Sequence, residues 1–232
     1  MEQWTPSDWV EEPAFLEGIT DGNLRTFLAD VHRRWKVLGR QFNQSSSCSD
    51  CFSSFVLPHP FIVPGGRFRE AYYWDTLWII DGLLISGMHN TVLGMLRNFF
   101  FLIDLLGFVP NGGRIYYSSR SQPPLLTRMV DAYVEATGDT AIIAEALPYL
   151  DKEYAFWMRE RVVLVEVAGT PHSLNVFRVP TNVPRPESYY EDHELAESVP
   201  EQDRPLLFRY ALFGNVCYDD LFLNMLVFLI LQ

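Results

Sequence analysis

The sequence predicts an all-α protein of paired helices with one small β-hairpin inserted. Three observations predict it. Apolar residues recur at helical spacing in five segments. Stretches rich in Gly, Pro and Ser separate most of them. Only 162–180 clusters β-branched residues around a turn, as a hairpin does. With 48% hydrophobic and 15% aromatic residues in 232, the chain has ample material for a core and is not a disordered polymer.

The first helix is signalled by Thr20 or Asp21 as cap and by Leu24, Phe27, Leu28, Val31, Trp35 and Leu38. Gly39 is its stop. A Ser-rich linker follows, "NQSSSCSDCFSS", in which Asn43 has the spacing of a glycosylation acceptor. "DTLWIIDGLLISGM" reads as the second helix. Asn90 can cap the third, "TVLGMLRNFFFLIDLLG", which is apolar nearly all round and so buried on several sides, Phe99 to Phe101 included. A fourth starts near Pro124 and runs through "LLTRMVDAYVEATG". Asp139 caps a fifth, with Ile142, Ile143, Leu147, Leu150, Tyr154 and Trp157 as its core side and Pro148 as a point of kinking. "VVLVEVAGTPHSLNVFRVP" is the hairpin, turning at "AGTP", and "TNVPRPESYYED" reads as a loop. No nearby repeat is visible in the sequence.

Composition excludes several functions. A net charge of -11 disfavours nucleic acid and anionic lipid as partners. The three cysteines, Cys48, Cys51 and Cys217, include one lone "CSDC" pair without a second ligand pair, so neither a metal site nor a disulfide framework is predicted. "MEQWTPSDWVEEP" lacks a basic region followed by an apolar one, so no signal peptide is read. The longest apolar run, Leu221 to Leu231, is too short for a membrane-spanning helix.

Antiparallel helix pairs return a chain to the end it left. Two helices separate Pro64–Asp75 from Pro110–Gln122, and two more with the hairpin lead to Pro184–Tyr190. The three loops are therefore expected at one end of one helical layer. The first offers Arg67, Glu70, Tyr72, Tyr73, Trp74 and Asp75. The second offers Asn111, Arg114, Tyr116, Tyr117, Arg120, Ser121 and Gln122, and the third Arg185, Glu187, Ser188 and Tyr189. This mixture fits a sugar. Hydroxyls donate and accept at once, so carboxylates and amides engage several of them. Arginine adds charged donors, and the apolar face of a pyranose lies on Trp or Tyr. Gly65, Gly66, Gly112 and Gly113 allow tight turns or close approach to a ligand. Each piece also has a plainer reading. "PNGG" alone is a turn, "RPES" alone is a helix start, Arg67 with Glu70 is a surface ion pair, and His59 is a loop residue. By residue type, Asp75 and Glu187 are the obvious carboxylate pair for acid and base work.

At these residues the chain resembles the trehalases. "PGGRFREAYYWDT", "VPNGGR", "YYSSRSQPPLL" and "PRPESY" look like family blocks in the family's order, and "WTPSDW" and "HPFIVPGG" resemble animal members. The resemblance runs from about Trp4 to about Tyr210. It implies an (α/α) toroid, here the N-terminal part of one in residues 1–210, and inverting hydrolysis of α,α-trehalose without metal or organic cofactor. It places Arg67, Trp74, Asp75, Asn111, Arg120, Ser121, Gln122, Arg185 and Glu187 at sugar-contacting positions. Asp75 and Glu187 thus become binding residues rather than acid and base. The resemblance puts the general acid in a "GWDxSxRW"-type segment and the base farther on, beside a "QWDxPxxW" signature. Neither motif occurs in these residues, so no catalytic residue is assigned. Residues 211–232 read as an unrelated apolar tail, and Asp219 and Asp220 lack the acid's context. An incomplete toroid exposes apolar helix faces, which predicts self-association. Animal trehalases are secreted or membrane-anchored, an expectation that this chain's N-terminus does not match.

Overall fold

The computed structural model describes residues 1–43, 52–176, 183–205 and 208. The chain divides into two compact units, Met1–Asn175 and Val176–Gln232. The three cysteines and the 211–232 tail lie outside the described residues.

In the first unit, α1 (Gly22–Leu38) is capped by Asp21, whose carboxylate accepts the Leu24 N–H at 2.8 Å. Its buried residue is His32, which bonds the Val10 carbonyl at 2.7 Å and the Ser86 hydroxyl at 3.2 Å. Leu24, Phe27 and Val31 remain exposed. A three-stranded antiparallel sheet of β1 (Glu2–Gln3), β2 (Gly39–Gln41) and β3 (Phe61–Ile62) closes the edge beside it. Strands this short carry no readable period, and the sequence does not announce them.

The core is built by α2 (Tyr73–Ile85), α3 (His89–Leu106), α4 (Leu126–Thr137) and α5 (Ala141–Glu160). Short links turn α2 back into α3 and α4 back into α5, so each pair is antiparallel. Across pairs the direction is parallel. The Tyr73 hydroxyl, at the start of α2, accepts the Leu126 N–H at the start of α4. Arg97 pairs with Glu145 and Asp104 with Lys152, so α3 and α5 ascend together. Two parallel layers running in opposite directions are the organisation of an (α/α) wall. The repeat of about one helix pair, invisible in the sequence, lives in this geometry rather than in residue identity.

Several expectations are corrected in detail. The N-terminus of α3 is not capped by Asn90. The helix begins at His89, and Asp8, distant in sequence, accepts the Thr91 N–H at 2.8 Å and its hydroxyl at 2.5 Å. Phe99 and Phe100 are buried, but Phe101 is 37% exposed, because three successive helical residues sweep too wide an arc to share one face. On α5, Ile142, Leu150 and Trp157 face the core, whereas Ile143, Leu147 and Tyr154 are exposed and Ala146, Glu153 and Phe156 are buried instead. The helix has apolar residues on two faces, and periodicity could not rank them. It runs unbroken through Pro148.

The predicted hairpin is present as β4 (Val162–Val167) and β5 (Thr170–Asn175), paired from Val162↔Asn175 to Val167↔Thr170. Ala168 and Gly169 form its two-residue turn, both at positive φ, as a right-twisted hairpin requires. In the second unit, "RPESYYED" is not a loop. A 3-10 turn over Pro186–Ser188 leads into α6 (Tyr189–Glu197). Proline at the first turn and Glu187, Glu191 and Asp192 near the N-terminus favour a helix there. Among the described residues no helix is long and apolar enough to cross a membrane.

Candidate functional site

The first two loops meet as the helix-pair count predicts. Gly65 and Gly66, at φ +107° and +58°, make a turn closed by Gly65 N–H to the Phe68 carbonyl (3.1 Å) and its reverse (2.9 Å). The chain then runs extended into α2 and pairs with the second loop. Tyr73 N–H donates to the Asn111 carbonyl at 3.1 Å, and Gly113 N–H to the Ala71 carbonyl at 2.8 Å. The second loop also pairs with itself, Asn111 N–H donating to the Arg120 carbonyl at 2.8 Å. Residues 53–55 brace its other side through Phe55 N–H to the Gly113 carbonyl and Ile115 N–H to the Ser53 carbonyl. Backbone bonds therefore fix the main chain of Trp74, Asp75, Asn111, Arg120, Ser121 and Gln122 in one small region.

Gly112 has a different job from the turn or ligand approach expected of it. A Cβ there would meet the rings of Tyr117 at 2.9 Å and Tyr72 at 3.0 Å. It is glycine because two tyrosines pack against the strand. Those rings form a T-shaped pair, and Tyr72 also meets Phe68 edge-on. Burial, followed by the nearby Glu70, pushes Tyr72 up to about 12, so it stays a neutral phenol.

The candidate side chains differ in setting. Trp74 is half-buried and lies against Trp78, ring centroids 5.1 Å apart. Asp75 sits half-buried in the first turn of α2, and burial raises its carboxyl above the usual range. Asn111 and Gln122 are half-buried, Arg120 and Ser121 buried. The Arg120 guanidinium lies over the Tyr117 ring at 4.9 Å. Arg67 is exposed, its guanidinium over Phe68. The Arg67–Glu70 ion pair, offered by the plainer reading of this stretch, is not the one Glu70 makes. Glu70 instead accepts Arg114 Nε at 2.7 Å, linking the two loops. Tyr73, expected on the pocket wall, is 1% exposed and belongs to the core.

Arg185 and Glu187 lie in the second unit and are described by themselves. Arg185 is clamped by Asp192, which accepts its backbone N–H at 2.9 Å, Nε at 2.8 Å and Nη2 at 2.6 Å. Glu187 is exposed in the first turn. Reading the sequence missed Asp192. It also missed Arg161, just past α5, which is 7% exposed and donates from Nε to Ser121 Oγ at 3.1 Å. The helix-pair rule that gathered the loops puts the end of α5 beside them and could have found Arg161. Among the described residues no cluster of His, Cys, Asp and Glu suits a metal ion.

Comparison with known proteins agrees with the motifs. The trehalase family model matches residues 1–211, and the chain belongs to the trehalase family. It is 49% identical over 208 residues to the trehalase of Homo sapiens, covering 89% of this chain and 36% of that protein. It is 52% identical over 202 residues to the trehalase of Dictyostelium discoideum, covering 85% and 34%. Among solved structures it is similar to the neutral trehalase of Saccharomyces cerevisiae, with a TM-score of 0.49 and 27% identity, covering 66% of this chain and 29% of that one. The chain spans about a third of the length of the curated relatives it matches.

Proposed function

We propose that this chain supplies a sugar-binding portion of an α,α-trehalase. The supporting observation is the backbone frame that joins Ala71–Tyr73, Asn111–Gly113 and Arg120–Ser121. In this reading Trp74 offers a face to a pyranose ring. Asp75, Asn111 and Gln122 accept and donate to hydroxyls, and Arg67 and Arg120 add charged donors. Ser121 adds a hydroxyl, and Arg185 and Glu187 are proposed for the second unit by itself, on the family motif alone. The acid and base of inverting hydrolysis are not assigned to any of these residues. The alternative function is that of a non-catalytic trehalase relative that binds sugar or associates with another trehalase. The uncovered apolar faces of α1 and α5 favour self-association of either form.

Calorimetric titration of the purified chain with trehalose, beside an assay of glucose release, tests the reading. Saturable heat that Asp75→Asn removes supports sugar recognition, and no heat from folded protein overturns it. Glucose release that depends on Asp75 would place the chemistry within these residues.

A further inference from the structure

The buried end of α2 holds a group that sugar recognition does not use. Glu153, on α5, is 3% exposed, and its Oε2 accepts the Tyr73 hydroxyl at 3.0 Å. That hydroxyl also accepts the Leu125 and Leu126 N–H groups at 2.8 and 2.7 Å, which ties down the start of α4. Tyr73 in turn bonds Asn111 through its backbone and immediately precedes Trp74 and Asp75. One carboxyl thus reaches, through one tyrosine, the backbone of both candidate loops. Its other oxygen, Oε1, has no hydrogen-bond partner, although the Val109 amide lies near enough to favour the ionised form.

We propose that Glu153 is a positioning residue for the candidate sugar site, acting through Tyr73. This rests on the sugar-site reading only for what the positioned residues bind. Burial pushes the Glu153 carboxyl up to about 7, against the opposing pull of Tyr73 and the Val109 amide. Burial keeps Tyr73 a protonated donor. The other charged neighbours of α5 are engaged elsewhere. On α3, Arg97 pairs with Glu145 and Asp104 with Lys152 on the exposed flank. On α4, the Tyr133 hydroxyl feels Asp139 and Arg97. Arg161 bonds Ser121, and Glu166 on β4 is exposed. When Glu153 ionises, an unpartnered oxygen becomes a buried charge, and relief comes by shifting Tyr73 and the start of α2.

The test follows the Trp74 indole N–H by NMR, assigned with Trp74→Phe, across neutral pH. The expected result is a titration with a midpoint near that of Glu153 in the wild type, absent in Glu153→Gln, which keeps an acceptor oxygen for Tyr73. In Tyr73→Phe the link is cut, and the Trp74 signal is expected to stay flat. A flat wild-type signal, or one that titrates equally in Glu153→Gln, overturns the proposal. Trehalose affinity, measured in parallel, is expected to weaken severalfold above about pH 7 in the wild type alone. If trehalose does not bind at all while Trp74 still titrates through Glu153, the sugar reading falls and the positioning role stands.

Discussion

Arg120 and Arg185 are both nearly buried arginines in candidate loops, yet the molecule holds them in opposite ways. Arg120 takes its place from a frame. Its carbonyl accepts Asn111, whose own carbonyl accepts Tyr73, so strands far apart in sequence set its backbone. Arg185 takes its place from a clamp, a bidentate carboxylate seven residues on, with side chains 10% and 4% exposed. A frame spreads the constraint over many weak bonds. A clamp concentrates it in one charged pair. The two should fail differently when broken.

The clamp should give the largest effect. Asp192→Ala leaves a buried guanidinium without its carboxylate, and breaking a buried pair typically costs about 3–5 kcal/mol. Loss of hydrogen-exchange protection over Arg185–Glu197 would register it, and retained protection would show that Arg185 leans on other contacts.

Glu153 tests the packing behind the frame. Burial pushes its folded carboxyl up to about 7 from an ordinary 4.5, so the folded chain keeps a proton that the unfolded chain releases. That stabilisation is complete below about pH 4.5, falls as pH rises, and is gone above about pH 7, some 3 kcal/mol in all. Glu153→Gln lacks the fall. Urea unfolding of both proteins across this range should show the variant gaining on the wild type as pH rises, and parallel curves would refute it.

The frame itself is tested by Gly112→Ala. The added Cβ drives into the Tyr117 and Tyr72 rings, and overpacking costs about 1–3 kcal/mol. A melt unchanged by the substitution would mean the rings yield freely and the frame is loose. The smallest stability effect belongs to Leu147→Glu on the exposed face of α5, within about 0.5 kcal/mol. Light scattering should nevertheless show less self-association, and an unchanged particle size would clear that face.

Much of this was legible in the chain. The five long helices, the hairpin turn and the family motifs are local signals, carried by period, cap and turn residues. Their alternation in pairs was enough to predict that the first two loops meet. The candidate residues around Trp74, Asn111 and Ser121 were readable because they occur in dense, unusual clusters. Asp192 was not, since a lone aspartate within a helix looks like a solvated charge; Arg161 looks the same by residue type and was within reach only of the helix-pair rule.

Local sequence sets where the five long helices form and which stretches are too polar and aromatic to be core or ordinary loop, because those depend on neighbours within a few residues. Long-range packing chose which of two apolar faces α5 buries. It alone decided that Asp8 rather than Asn90 caps α3, and that Glu70 joins Arg114 rather than Arg67. It also turned Tyr73 from the expected pocket wall into the core, with Glu153 behind it. Each of these is a choice between partners distant in the chain, and packing settles it by which groups are brought out of water together.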